Sequence, residues 1–95
     1  MKRNLFLRIL GNNTNAKLIY YFLNLEKEID ISIIDILENT NIKSRKTIDK
    51  IINILLSEKL IESTRTIGKT RLFRINKKSL IMKRFMQIKT ACNEN

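Results

Sequence analysis

The chain has 95 residues, a length that predicts one domain with one small hydrophobic core. Apolar residues make up 43% of it, which excludes a disordered tail, and no window approaches the roughly 18 apolar residues of a membrane-spanning helix. It has no histidine and one cysteine, so it lacks the ligand sets of zinc sites and the usual general base of enzymes.

Positive charge is concentrated in the second half of the chain. Residues 1–41 contain five basic and five acidic side chains, whereas residues 42–90 contain fourteen basic and three acidic ones. The whole chain has a net charge of +10. Because a basic segment of this kind attracts polyanions, the distribution favours a nucleic acid as the partner.

The N-terminus begins like a secretory signal peptide, with basic residues before an apolar run. Arg8 interrupts that run after three residues, and no small-residue cleavage site follows. The single cysteine, Cys92, cannot form an internal disulfide, which fits a reducing compartment. We therefore expect a cytoplasmic, nucleoid-associated protein that does not contact the membrane.

Apolar spacing predicts two helices near the N-terminus. The first covers residues 4–10 and ends at Gly11, and cap and turn residues follow it. The second covers about residues 15–25, where apolar side chains at i, i+3, i+4 and i+7 form one buried face. Tyr20 and Tyr21 lie in this helix, and the spacing favours core or dimer packing over base stacking for both. The same reasoning assigns Phe6, Phe22 and Phe73 to the core.

A connector and a third helix come next. Residues 26–31 form a charged connector whose last three residues alternate in the manner of a short strand. Ser32 and Asp35 have the spacing of a capping box, with Asp in the place of the usual Glu. They predict a helix over residues 32–39. In the break after it, Asn41 is the residue that best tolerates a positive φ.

A basic amphipathic helix is predicted from its cap, Ser44, to about Glu58. B-DNA's major groove accepts one α-helix, and side chains of the first turns reach the base edges. The alternative is an ordinary solvated helix face, which Asp49 favours because a carboxylate in a groove repels phosphate. The candidate DNA-binding residues of this segment are Lys43, Ser44, Arg45, Lys46, Thr47, Asp49, Lys50 and Asn53.

Two β-prone runs, residues 60–67 and 70–76, flank Gly68 and Lys69 and predict a tight hairpin. A basic hairpin tip can reach the minor groove or the DNA backbone. Alternatively, its charges keep the hairpin soluble and discourage edge pairing. Lys77 and Lys78, in the turn that follows, either contact phosphate or are simple turn residues. The candidate DNA-binding residues of the hairpin are Arg65, Lys69, Thr70, Arg71 and Arg74.

Ser79 caps a last predicted helix that runs to about Ala91. Its apolar residues exceed what one face needs, so we expect it to pack with the first segment against a second subunit. A two-fold dimer can read two half-sites about one helical turn apart, ~34 Å. Cys92, just beyond, is either a free thiol or a disulfide partner of its own copy. The candidate dimer-interface residues are Leu5, Phe6, Ile9, Leu80, Ile81, Phe85 and Ile88.

Two segments carry a resemblance to a known family. SRKTIDKIINILLSEKLI (residues 44–61) is similar to the recognition helix and following strand of winged helix-turn-helix regulators of the MarR/ArsR type. TRTIGKTRLFRIN (residues 64–76) resembles the wing of compact regulators common in archaea and their viruses or plasmids. Asn41 and Lys59 depart from the family pattern, since glycine is common at both positions.

The resemblance implies a mainly α fold with a small β-hairpin wing (α+β), in one winged-helix domain. It also implies sequence-specific binding of double-stranded DNA by a small dimeric transcription regulator, a repressor that acts by occlusion. The expected bounds are residues 1–95 for the domain, about 32–58 for the helix-turn-helix, about 61–76 for the wing and about 79–91 for the C-terminal helix.

Two other functions remain open from the sequence. One is a non-specific architectural or plasmid-maintenance DNA-binding protein, and the other is a winged-helix module for protein–protein interaction. The sequence indicates no cofactor, no metal and no small-molecule ligand. We expect no enzymatic activity, because paired carboxylates, a glycine-rich phosphate loop and metal-ligand spacing are all missing.

Overall fold

The computed structural model describes residues 5–11, 13–25 and 29–94. This part of the chain is mainly helical with one two-stranded antiparallel hairpin, an α+β arrangement. Its elements are α1 (Leu5–Leu10), α2 (Thr14–Leu23), α3 (Ile33–Asn39), α4 (Arg45–Ser57), β1 (Ile61–Ile67), β2 (Thr70–Ile75) and α5 (Leu80–Glu94). Outside the described residues lie the predicted helix start Asn4, the turn residue Asn12 and the connector residues 26–28.

The first two helices are confirmed, with small shifts of their ends. Gly11 follows α1 at a φ of +95°, a conformation that side chains with a Cβ rarely adopt. Asn13 then caps α2, because its side-chain oxygen accepts a hydrogen bond from the Ala16 N–H at 2.8 Å. α2 ends at Leu23, two residues earlier than predicted.

The capping box predicted for α3 is present. The Ser32 N–H donates to Oδ2 of Asp35 at 2.8 Å, and the Asp35 N–H donates to Oγ of Ser32 at 3.2 Å. Asp therefore performs the role of the usual Glu at this position. At the other end, the Thr40 hydroxyl donates to the carbonyl of Ile36 at 2.7 Å and closes the last turn.

α4 is confirmed as an amphipathic helix, and Lys59 ends it in an unexpected way. The Lys59 N–H donates to Leu56 and the Leu60 N–H to Leu55, which is a Schellman closure. It requires a left-handed residue, and Lys59 has a φ of 60°. Lys59 is the one described non-glycine residue at positive φ, so the tolerance of Asn41 is not used. The buried stripe of α4 consists of Ile48, Ile51, Ile52 and Leu55.

The hairpin turns at Gly68, as predicted, but its register contains a bulge. Ile67 pairs with Thr70 across the turn, whereas Ser63 pairs with Phe73, so Thr64 is an extra residue on β1. On the other edge of β2, Ile31 and Phe73 exchange backbone hydrogen bonds of 2.8 Å in both directions. The predicted short strand before α3 is thus a single bridge.

One hydrophobic core joins these elements. Phe6 of α1, Phe22 of α2 and Phe73 of β2 are each no more than 1% exposed and are the largest side chains within it. α1, α2 and α5 contact one another, α4 packs on α3 and β1, and α2 contacts β2. The polar side of α4 is not covered by this core. That side carries the candidate DNA-binding residues.

Candidate nucleic-acid interface

The first turns of α4 carry polar and basic side chains into solvent. Oγ of Ser44 accepts a hydrogen bond from the Thr47 N–H at 3.2 Å and another from the Thr47 hydroxyl at 3.0 Å. These two hydroxyl groups therefore fix the start of the helix. Thr47 is half-buried, and the other predicted residues of this segment are exposed, namely Lys43, Ser44, Arg45, Lys46, Asp49, Lys50 and Asn53.

Three of the five predicted hairpin residues lie at its tip. Lys69 is in the turn, and Thr70 and Arg71 begin β2, and all three are exposed. The Arg71 guanidinium lies 5.1 Å from the centroid of the Phe73 ring, a cation–π distance. Because Phe73 is fully buried, this contact holds the guanidinium end of Arg71 against the edge of the core, although the residue as a whole is exposed.

The other two hairpin residues form ion pairs within the protein. Nε of Arg74 donates to Oε1 of Glu62 on the opposite strand at 2.7 Å. Nε of Arg65 lies 3.5 Å from Oδ2 of Asp30, just before the bridge to β2. Their charges are therefore partly compensated, whereas no carboxylate among the described residues forms an ion pair with Lys69 or Arg71. Neither partner is predictable from the sequence, since each depends on how β1 and the connector align with β2.

A cleft of about 170 Å³ lies between α4 and the hairpin tip. It brings together three basic side chains and a single carboxylate. One basic residue predicted for the helix, Arg45, and two predicted for the wing, Lys69 and Arg71, thus meet in one cleft. The lining residues are Ser32, Ile33 and Ile34 from the start of α3, Arg45 and Asp49 from α4, and Lys69, Thr70 and Arg71 from the hairpin.

Comparison with protein-family models, curated proteins and solved structures finds no match. Within the described residues, no three His, Cys, Asp or Glu side chains converge as a metal site. No helix in that part of the chain is long and apolar enough to cross a membrane.

A second cavity, of about 350 Å³, lies between α1, α2 and the break after α3. Tyr20 and Tyr21 line it, and both are half-buried against the core, where Tyr20 packs on Phe6 with ring centroids 5.3 Å apart. Burial and, to a smaller extent, the charge of Asp35 raise the pKa of Tyr21, while a hydrogen bond with Asn39 opposes them. The sequence pattern gave no signal for this cavity.

α1 and α5 present apolar side chains on an uncovered surface. Ile9 is 63% exposed, Leu80 66% and Ile81 52%, and Ile88 is also exposed. Leu5 and Phe85 are half-buried. Phe6 is not an interface residue, because it is buried in the core, where its ring lies edge-on to that of Phe85 with centroids 6.3 Å apart.

Cys92 lies inside α5 rather than beyond it. The helix continues to Glu94, three residues past the predicted end. The Cys92 side chain is half-buried and packs against the hydrophobic core. The thiol therefore belongs to the packed part of α5 and not to a frayed terminus.

Proposed function

We propose that the chain binds double-stranded DNA as a small winged helix-turn-helix regulator, similar in plan to the MarR/ArsR type. In this proposal α3 and α4 form the helix-turn-helix, α4 is the recognition helix and the β1–β2 hairpin is the wing. The observation that carries the proposal is the shared cleft, in which Arg45 of α4 and Lys69 and Arg71 of the hairpin line one depression.

A shared basic surface matters because the DNA backbone is a continuous polyanion. When a helix lies in the major groove, the phosphate backbone of one strand runs beside it. A hairpin next to that helix can contact this backbone or the adjacent groove. Cations on opposite sides of a small domain could not act on one duplex together. The shared cleft of Arg45, Lys69 and Arg71 supports a joint contact of this kind.

Affinity and discrimination come from different residues in this proposal. Lys46, Lys50 and the basic residues of the hairpin tip contact phosphates and supply the salt-dependent affinity. Arg45 and Asn53 are of the types that pair with guanine and adenine, and each correct pairing contributes about 1–3 kcal/mol of discrimination. Asp49 fits the same surface as an acceptor for the amino group of cytosine.

A homodimer completes the proposed regulator. The exposed apolar residues of α1 and α5 supply a surface that a second copy would cover, and none of them lines the charged cleft. Two copies related by a two-fold axis would read two half-sites separated by about one helical turn, roughly 34 Å. Occupation of such a site beside a promoter represses transcription by occlusion, without a further domain.

A second candidate is non-specific coating of duplex DNA. The net charge of +10 on 95 residues favours it, because charge alone supplies binding without sequence preference. Excess random duplex separates the two functions. A sequence-specific regulator stays on its site in the presence of this competitor, whereas a coating protein is removed from the probe.

Selection of bound sequences from a random duplex pool tests the proposal. We expect enrichment of a two-fold symmetric motif, whose symmetry reports the dimer and whose spacing reports the half-sites. Lys46→Ala should weaken binding to the selected duplex, and Lys83→Ala on α5 is the matched control because it removes the same charge elsewhere. Equal binding by Lys46→Ala and the unmodified protein would contradict the assignment of α4 to the DNA interface.

A further inference from the structure

The hairpin tip carries one large apolar side chain among polar and basic ones. Ile67 is the last residue of β1, and it is 59% exposed. Every residue from 65 to 71 is exposed, and Ile67 is the single aliphatic side chain in that stretch. A threonine would fit the strand as well and would avoid the cost of exposing apolar surface to water.

The turn of the hairpin is open to solvent at Gly68. A Cβ placed on Gly68 would meet no atom within 4 Å, and Ile67 is not among the residues that line the cleft shared with α4. Ile67 pairs with Thr70 in the last rung of the hairpin, which fixes the direction of its backbone. Ile67 is therefore presented on a short rigid ribbon and makes no contribution to the core cluster.

The charges around Ile67 indicate what could cover it. Lys69 in the turn and Arg71 on β2 are exposed within four residues of Ile67 along the chain, and both line the cleft shared with α4. An apolar or lipid-like partner would have to remove these cations from water without compensation, whereas a phosphate backbone would neutralise them. Charge complementarity therefore selects a nucleic-acid groove as the partner of the tip.

We propose that Ile67 is a wedge that enters the minor groove, partly unstacks one base step and bends the duplex. Isoleucine is among the side chains that minor-groove proteins insert in this way, and the resulting kinks are about 20–90°. This inference rests on the proposed DNA binding, and it adds a bend and a contact point that binding alone does not require. Pyrimidine–purine steps such as TA unstack most easily, so the wedge adds specificity at a position that α4 does not contact.

The test measures DNA bending rather than affinity. The probe is the best-bound duplex from the random-pool selection, about 30 base pairs or three helical turns long, with a donor and an acceptor dye at its two ends. Ile67→Thr removes most of the apolar side chain and keeps a β-branched residue that suits the strand. Ile67→Phe keeps a wedge of another shape. Ile29→Thr is the matched control, because Ile29 is 47% exposed and lies outside the hairpin.

We expect the unmodified protein and Ile29→Thr to bend the duplex equally, by at least about 20°. Ile67→Thr should reduce the bend by half or more, and Ile67→Phe should preserve it. Affinity should change less than about tenfold in Ile67→Thr, because the saved cost of unstacking offsets the lost apolar contact.

Two results would overturn the wedge while leaving DNA binding intact. One is a bound duplex that stays straight with the unmodified protein, and the other is an unchanged bend in Ile67→Thr. If the unmodified protein binds no duplex even at low salt, the proposed function fails, and the wedge fails with it.

Discussion

Arg45 of α4 and Arg71 of β2 line the same cleft, so the first turn of a helix and the tip of a hairpin contribute to one surface. Arg71 is further positioned by the ring of Phe73, 5.1 Å from its guanidinium. The two arginines come from segments more than twenty residues apart in the chain. The hydrophobic core beneath them, to which Ile48 of α4 and Phe73 of β2 both belong, sets their proximity.

Arg71→Ala should lower the affinity for every duplex sequence and reduce the slope of log K against log salt by about one, the value for one lost phosphate contact. Arg84→Ala is the control, since Arg84 is exposed on α5 and its loss changes the net charge equally. Fluorescence anisotropy at several salt concentrations measures both. If the slope is the same in Arg71→Ala and the unmodified protein, Arg71 makes no phosphate contact, which would contradict the role of the hairpin tip in DNA binding.

Thr64→Val should raise the free energy of unfolding by about 1 kcal/mol. The Thr64 hydroxyl is buried in the bulge of β1 and finds no hydrogen-bond partner among the described residues. An isosteric methyl group removes the cost of a buried unsatisfied hydroxyl, which is about 1–3 kcal/mol. Urea unfolding measures the change. Thr66→Val, on the exposed part of the same strand, should stay within about 0.5 kcal/mol of the unmodified protein.

Lys59→Gly should also stabilise the fold, by about 1 kcal/mol, because Lys59 holds a left-handed backbone that costs a residue with a Cβ about 1–2 kcal/mol. Glu58→Gly tests whether the gain is specific to that conformation, since Glu58 has a φ of −88° and gains nothing from glycine. Glu58→Gly should be neutral or destabilising. Equal effects of the two substitutions in urea unfolding would contradict the strain at Lys59.

The raised pKa of Tyr21 predicts a loss of stability at alkaline pH. Burial favours the neutral phenol, so its stabilising contribution is complete below the ordinary pKa of 10.0. That contribution is lost as the pH rises from there through the folded-state pKa. Tyr20→Phe leaves Tyr21 as the sole tyrosine, and its absorbance titration should show a midpoint above 10.0. A midpoint at or below the value of free tyrosine would contradict this.

Local sequence signals predicted most of the secondary structure. The Ser32–Asp35 pair identified the start of α3, Ser44 identified that of α4, and Gly68 located the hairpin turn. Each of these signals acts over four residues or fewer, and the physical cause is a cap or a turn that forms within one segment. The amphipathic stripe of α4 was correct for the same reason, since helical spacing determines which side is apolar.

Features that depend on alignment between segments were not predictable. A two-residue turn at Gly68 without a bulge would pair Arg74 with Ser63, but the extra residue Thr64 moves Glu62 opposite Arg74 instead. The Arg74–Glu62 ion pair is a consequence of that shift. Turn residues fix the register only next to the turn, and packing against the core decides where a bulge forms.

The candidate site was predicted in its residue types but not in its shape. Basic side chains on α4 and at the hairpin tip followed from charge and spacing, and seven of the eight residues predicted for the helix segment are exposed. The contribution of Ile33 and Ile34 to the cleft was not foreseen, because it requires the position of α3 against the hairpin. Phe6 was assigned to a dimer surface because apolar periodicity does not distinguish a core from an interface.

Amide chemical-shift mapping with the selected duplex tests the central claim most directly, which is that α4 and the hairpin tip bind one DNA molecule together. We predict the largest perturbations in two separate segments at once, residues 43–53 and 65–71, with the exposed turns of α5 little changed. Perturbations confined to one of the two segments, or centred on α1 and α5, would contradict the shared interface.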